Sequence, residues 1–376
     1  MTPPAKPLRI LHAVRAPVGG IMRHILDLAN GQVDRGHQVG ILADSMTGGP
    51  RADAALAEIA PRLALGVHRF AIYREPHPFD VVSYARLSAL LRKLKPDVLH
   101  GHGAKAGAFM RARGHTPGRL RVYTPHGGSL HYPLTTKKGM FYSRLERALM
   151  NRTELFLFES AFARDTFQRT IGIPKGLVRC VFNGVTAKEF EPLTTAADAT
   201  DITYVGEFRH IKGADILIDA IARLRASGRP ITLSLGGDGE EMPALKAQVE
   251  RLGLTEAVRF LGHVPARTGF SKGRLLVVPS RGDSMPYVVI EAAAAGIPIL
   301  AAKVGGIPEI LGPDHPNLVT RDNVVAFSDA IAAAAADPFV MRDRASALRQ
   351  RVQEHFSQTA MVDGVLNAYS DAFAEQ

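Results

Sequence analysis

Short apolar runs separated by amphipathic stretches recur along the whole of this 376-residue chain, and that alternation leaves it few possible folds. Residues 8–14, 39–43, 97–100, 121–124, 155–158 and 178–182 read as strands, with helices at 21–35, 81–95, 104–113, 139–151 and 161–170. Strands follow in the second half at 202–205, 231–235, 258–261, 275–278 and 297–301. Strands nearly bare of polar residues, separated by helices, belong to parallel sheets covered on both faces. Two doubly wound α/β domains in tandem are therefore predicted. Their bounds are 1–185 and 201–356, joined by a linker at 186–200 where Pro192, Thr194 and Thr195 interrupt the periodic pattern. The closing segments 339–356 and 358–374 read as helices.

Composition agrees with a soluble protein of this size, at 46% apolar and 22% charged residues. The most apolar stretch is broken by Glu291 and Pro298 before it reaches the roughly 18 residues of a membrane span. The start, Met1-Thr-Pro-Pro-Ala-Lys-Pro, has no apolar signal region, so a cytoplasmic protein with a frayed tail is expected. The single Cys180 excludes an internal disulfide and is expected to be buried and inert. The net charge of +10 is unevenly placed. Residues 1–180 hold 27 basic against 12 acidic side chains and the remainder 19 against 24, so the halves carry +15 and −5. The first half is expected to face something anionic. No recognition helix, zinc finger or RNA-binding aromatic pattern is present, so nucleic acid is not the expected partner; a membrane surface or a pyrophosphate-bearing acceptor ranks above it.

One loop carries the clearest chemistry. Ser280-Arg-Gly-Asp-Ser-Met-Pro-Tyr-Val-Val-Ile-Glu291 follows a strand, and Pro286 stands where an Ala-rich helix begins, with Tyr287 and Val288 in its first turn. Unpaired first-turn amides and the positive end of the helix dipole make an anion site. Asp283 and Glu291 flank it, and carboxylates accept paired hydrogen bonds from vicinal hydroxyls. A phosphate site edged by hydroxyl acceptors points to a sugar nucleotide. Elsewhere, Arg209 and Lys212 either neutralise a leaving diphosphate or are solvated cations of a turn. Gly19 and Gly20 open the first helix, where bare backbone approaches a ligand or simply makes a tight turn. His126 either contacts a donor sugar or holds a loop carbonyl. Gly236-Gly-Asp-Gly239 starts a dinucleotide fingerprint that Met242 leaves incomplete. There is no Asp-x-Asp pair, Cys pair or His-Glu-x-x-His helix, so neither a metal nor another cofactor is expected. His100 and His102 share a strand face that could hold a metal, but neutral roles at a strand end are favoured.

Further landmarks are Gly36-His37, Thr124-Pro-His126-Gly, Asn183-Gly-Val185, Val205-Gly-Glu-Phe-Arg-His-Ile-Lys212-Gly213 and Gly305-Gly306-Ile-Pro308-Glu309. Their order and spacing from Gly19 to Glu309 resemble the retaining glycosyltransferases of family 4, group 1, which have the GT-B fold. The resemblance implies two Rossmann-like domains facing across a cleft, with a C-terminal helix, 357–376, crossing back to the first. It implies Glu291 on a ribose, Asp283 on the donor sugar in place of the family's usual Glu, and Gly237 and Val264 as walls of the nucleotide pocket near His263. Glu207 stands where the family often has Arg, and Arg209 is the candidate to supply that charge. The implied reaction is metal-free transfer of a sugar, with retention, from a nucleoside diphosphate donor, UDP by preference, to a hydroxyl acceptor. A front-face mechanism assisted by the leaving phosphate belongs to the same implication.

Two other classes share tandem doubly wound domains or a cleft. A nicotinamide-dependent oxidoreductase requires a complete glycine fingerprint and a later acidic residue, neither convincing here. A non-catalytic two-lobed sugar-binding protein would normally carry an export signal. The acceptor is approached through the basic first half. Between His131 and Arg152, which also hold Tyr132, Lys137 and Tyr142, a helix places Phe141, Leu145, Ala148 and Leu149 on one face. Lys138, Arg144, Arg147 and Arg152 lie beside or opposite it. Either that helix packs on its own sheet, or it lies on an anionic membrane near a lipid-linked acceptor in polysaccharide or envelope assembly.

Overall fold

The computed structural model describes residues 6–127 and 135–376. The readings of the N-terminal tail to residue 5, and of His131 and Tyr132, fall outside these described residues. The chain divides into two compact units, Met1–Asn183 with Gln358–Gln376, and Gly184–Ser357.

The first unit is a seven-stranded parallel sheet. Its strands are β1 (Arg9–Val14), β2 (Gln38–Asp44), β3 (Gly66–Phe70), β4 (Val98–His102), β5 (Leu120–Thr124), β6 (Leu155–Phe158) and β7 (Leu177–Cys180), in the order β3-β2-β1-β4-β5-β6-β7. Connecting helices are α1 (Gly19–Asp34), α2 (Gly49–Ile59), α3 (Asp80–Leu94), α4 (Ala104–Arg111), α5 (Lys137–Met150) and α6 (Ala161–Thr170). The central strands β4, β5 and β6 are buried throughout and β1 from Ile10 onward, as covering both sheet faces with helices requires. The direction of strand addition reverses between β1 and β4, so the loops after these strands diverge and leave room for a ligand.

The second unit repeats the plan with six strands, β8 (Thr200–Val205), β9 (Leu233–Gly236), β10 (Val258–Gly262), β11 (Gly273–Val278), β12 (Ile299–Ala302) and β13 (Leu318–Val319). Their order is β10-β9-β8-β11-β12-β13, all parallel, with the reversal between β8 and β11. Helices α7 (Ala214–Ala226), α8 (Met242–Arg251), α9 (Ala266–Ser271), α10 (Tyr287–Ala294), α11 (Ile307–Leu311), α12 (Val324–Ala336) and α13 (Pro338–His355) complete it.

A last helix, α14 (Gln358–Ala374), belongs to the first unit, where Met361, Val362, Val365, Ala368 and Tyr369 pack with Ile10, Val98, Val122 and Leu155. Burying each large apolar side chain stabilises this packing by about 1.5–3 kcal/mol. Gly31 of α1 permits the approach, because a methyl group there would overlap Val362.

Several expectations need correction. β3, β13 and α2 are additional elements. β3 is an edge strand whose Val67-His68-Arg69 lacks a clean apolar signature, and β13 has only two residues. Residues 186–200 do not form a free linker: Ala187–Phe190 makes a 3-10 turn, and Arg267 donates to the carbonyls of Glu189 at 3.0 Å and Glu191 at 2.9 Å within the second unit. Cys180 is exposed rather than buried, because β7 ends the sheet and has β6 as its one neighbour. On α5 the face formed by Phe141, Leu145 and Ala148 is exposed, and Gly139, Ser143, Glu146 and Leu149 face inward instead. The inward face is polar because Glu146 accepts from Arg111 at 2.8 Å and from the Tyr123 hydroxyl at 2.9 Å. No single helix among the described residues is long and apolar enough to cross a membrane.

Candidate functional site

In the second unit, the loops leaving β8 and β11 meet at the strand-order reversal. Lys212 ends a 3-10 turn after β8, and its Nζ lies 2.6 Å from Oδ2 of Asp283, in the loop after β11. Both side chains are largely shielded, at 27% and 13% exposure, so this pair is less screened than a surface contact. Ser280 Oγ adds a 3.3 Å hydrogen bond to the same carboxylate oxygen.

Arg281 braces the two loops from behind. It binds Asp215 of α7 through two nitrogens, at 2.8 and 2.6 Å, and also donates to the His210 carbonyl and to Asp322. Burial opposes ionisation of Asp215, but the Arg281 guanidinium holds its carboxyl below the usual range. Two glycines set the backbone here. Gly213 follows Lys212 at φ +71°, and Gly305 has φ +57°; a methyl group on the first would strike the Pro279 carbonyl, and on the second the Asp283 carbonyl. The second of these close approaches is secured by the Gly306 amide donating to that Asp283 carbonyl at 3.1 Å.

Pro286 caps α10 in an extended conformation, one position earlier than the first helical residue, so the helix opens at Tyr287 and Val288 beside Asp283. The Val289 and Ile290 amides donate to the Pro286 carbonyl at 3.2 and 3.4 Å, and the positive end of the helix dipole lies at this end of α10. Glu291, half-buried, lies one turn further on. Gly237 follows β9 and donates to the Gly262 carbonyl at 2.8 Å, while Val264 covers Gly236. Arg209 is exposed and lies 3.6 Å from Glu207, the residue that occupies the family's arginine position.

In the first unit, Gly19 opens α1 at φ +56° with open space around it, and Gly20 follows in the first turn. His126 follows β5 with φ +51°, a left-handed conformation that costs a non-glycine residue of order 1 kcal/mol or more and is held here by its surroundings. It belongs to a cluster of five imidazoles, His12, His24, His100, His102 and His126. Burial pushes the pKa of His12 and of His24 down to about 4, and those of His100, His102 and His126 well below the ordinary value, with repulsion from neighbouring imidazoles adding to all but His12. All five are neutral near pH 7. The triads His12, His100, His102 and His24, His102, His126 each bring ring nitrogens within 4.8 Å, a spacing open to metal ligation. Every nitrogen of the first triad is already hydrogen-bonded, His100 to the Tyr369 hydroxyl and Thr124 Oγ1 at 2.8 Å each.

Sequence reasoning passed over His12 and His24. The available signal was a lone polar residue inside the otherwise apolar run of β1, which parallel register sets directly against His100. Asn183, expected only as part of the landmark Asn183-Gly-Val185, holds His24 Nδ1 at 3.0 Å. Beside His102, a cavity of about 190 Å³ is lined by Arg15, Arg74, Lys105, Tyr142 and Leu145.

Comparison with known proteins follows the same division. Residues 18–189 match the family model described as Glycosyltransferase Family 4, and residues 199–337 match Glycosyl transferases group 1. The glycogen synthase of Mycobacterium tuberculosis is 24% identical over 94% of this chain and 91% of its own length. The gpi3 subunit of the phosphatidylinositol N-acetylglucosaminyltransferase of Schizosaccharomyces pombe is also 24% identical, over 95% and 78%. Among solved structures, Anabaena HepE in complex with UDP-glucose superposes with a TM-score of 0.80 at 21% identity, covering 97% of this chain and all of that one.

Proposed function

This chain belongs to the group 1 glycosyltransferases of family 4 and has the GT-B fold, and from that premise we propose that it transfers a sugar from a UDP-sugar to a hydroxyl acceptor with retention of anomeric configuration and without a metal. The observation that carries this reading is the meeting of Lys212, Asp283 and the start of α10 at the strand-order reversal of the second unit. A cation, a helix N-terminus and a shielded carboxylate are what a diphosphate bearing a sugar requires.

In this reading the α10 start at Pro286, Tyr287 and Val288, together with Lys212 and Arg209, receives the diphosphate. Glu291 accepts from ribose hydroxyls, and Gly237 and Val264 wall the nucleotide. Asp283 accepts from hydroxyls of the donor sugar, and its hold on Lys212 keeps the cation aimed while the site is open. The Gly19 and Gly20 backbone approaches the donor, and His126 contacts the transferred sugar. The bond from the anomeric carbon to the diphosphate oxygen breaks as the acceptor oxygen bonds to the same face. The acceptor proton passes to the leaving phosphate, and UDP departs with the charge that Lys212, Arg209 and the helix dipole stabilise.

The acceptor is proposed to be lipid-linked, used from the cytoplasmic face of an anionic membrane. Exposed Met140, Phe141 and Leu145 on α5, flanked by Lys137, Lys138 and Arg144, favour this. So does the cavity close by, where Arg15, Arg74 and Lys105 outnumber the one carboxylate, Glu146, in the lining. The gpi3 relative is a subunit of a phosphatidylinositol N-acetylglucosaminyltransferase, in keeping with this choice. The test is a panel of UDP-sugars and purified protein in EDTA, read by UDP release and by melting temperature. Release from at least one donor supports the reading; a shift with NADH and none with any UDP-sugar rejects it.

A further inference from the structure

His126 is the outer end of a hydrogen-bonded line that runs into the first unit. Its Nε2 lies 3.0 Å from Nδ1 of His102, whose Nε2 lies 3.0 Å from Nδ1 of His12, whose Nε2 lies 2.8 Å from Oε1 of Gln32. Beyond His126 every member is buried, at 1% exposure or less. Water therefore does not compete for these bonds, and each proton position dictates the next.

The direction of the line follows from its inner end. An amide oxygen only accepts, so His12 carries its proton on Nε2 and offers a lone pair at Nδ1. His102 must then donate from Nε2 and accept at Nδ1. His126 in turn donates from Nε2, which leaves its Nδ1 as the acceptor. Gln32 Nε2 is buried without a hydrogen-bond partner among the described residues, so Oε1 is the atom of this amide that joins the line. Low basicity throughout the cluster keeps one proton on each ring. His24, edge-on to His126 at 4.9 Å and tethered to Asn183, closes the other side of the ring.

We propose that Gln32, His12 and His102 are positioning residues that hold His126 as the neutral Nε2–H tautomer, so that its Nδ1 accepts a hydrogen bond from a hydroxyl of the transferred sugar. This rests on the sugar contact assigned to His126 above. The arrangement suits the chemistry, since a neutral acceptor is compatible with positive charge developing on the sugar and an imidazolium is not. The left-handed backbone of His126 aims the ring, and the buried line fixes which nitrogen is bare.

The test uses the full chain labelled with ¹⁵N-histidine, together with UDP-glucose hydrolysis and UDP affinity. In the wild type, the His126 nitrogen resonances should show Nε2 protonated and Nδ1 bare; the reverse tautomer overturns the proposal even if no variant folds. Gln32→Met should mix the tautomers and lower kcat roughly tenfold with UDP affinity unchanged, and Gln32→Glu, which still accepts, should restore both. If His126→Ala lowers kcat while Gln32→Met and His102→Asn change neither tautomer nor kcat, the line does not position His126. If His126→Ala leaves kcat unaltered, the sugar contact itself is wrong, whatever the tautomer. Stoichiometric zinc in the purified protein, lost in His24→Ala, would also overturn the proposal by making these lone pairs metal ligands.

Discussion

Lys212 Nζ and Asp283 Oδ2 lie 2.6 Å apart, joining the loops after the two strands that flank the strand-order reversal of the second unit. Expected separately as a diphosphate cation and a sugar acceptor, they are ion-pair partners in the structure. In the proposed reading, a bound diphosphate shares Lys212 with Asp283.

That arrangement separates the two carboxylates by effect. Glu291→Gln is expected to weaken UDP binding by about 1.5–3 kcal/mol, the scale of a hydrogen bond to a charged group. Asp283→Asn should leave UDP affinity near wild type and mainly lower turnover. Calorimetry with UDP and initial rates with UDP-sugar measure both; equal affinity and turnover in both variants would remove the assignment.

Since cations and helix amides are assigned the work of neutralising the diphosphate, activity is expected to persist in EDTA. Rates are compared after dialysis against chelator. Complete loss, recovered with magnesium or manganese, would assign that work to a metal.

Acid should unfold the protein early. His12 and His24 have native pKa values of about 4 against 6.5 in the unfolded chain. Between these values the unfolded state binds protons that the native state refuses, so stability is intact above pH 6.5 and falls as the pH drops toward 4. The loss is on the order of 3 kcal/mol for each ring. Urea midpoints measured from about pH 7.5 down to 4.5 should fall steeply below 6.5, and a flat profile would mean that the cluster is solvated.

The exposed α5 face predicts binding to vesicles containing anionic lipid and none to zwitterionic ones at low salt. Replacing Lys137, Lys138, Arg144 and Arg147 with Gln should weaken it roughly tenfold or more. Wild-type protein that ignores anionic vesicles would point to a soluble acceptor.

Much of the fold is legible in sequence because parallel strands must be apolar on both faces, as Leu155–Phe158 is. Edge elements escape that rule, which is why β3 and the exposure of Cys180 are not foreseen. The second unit's candidate residues stand out because loop chemistry after a strand is local in sequence. What the spacing does not reveal is pairing across distance: Lys212 and Asp283 are 71 positions apart, and only the adjacency of β8 and β11 brings them together. His12 and His24 are invisible for the same reason, each an isolated histidine until strand register and α1 gather them around His102. The outward turn of Phe141 and Leu145 depends on Arg111 and Tyr123 drawing Glu146 inward, a polar preference that apolar periodicity does not register.

The most direct measurement is titration of UDP into the wild-type protein and Lys212→Ala, both in EDTA. The account predicts one UDP bound per chain without metal, and an affinity roughly ten- to a hundredfold weaker in the variant. No binding of UDP by the wild type, or the same affinity in both proteins, would contradict it.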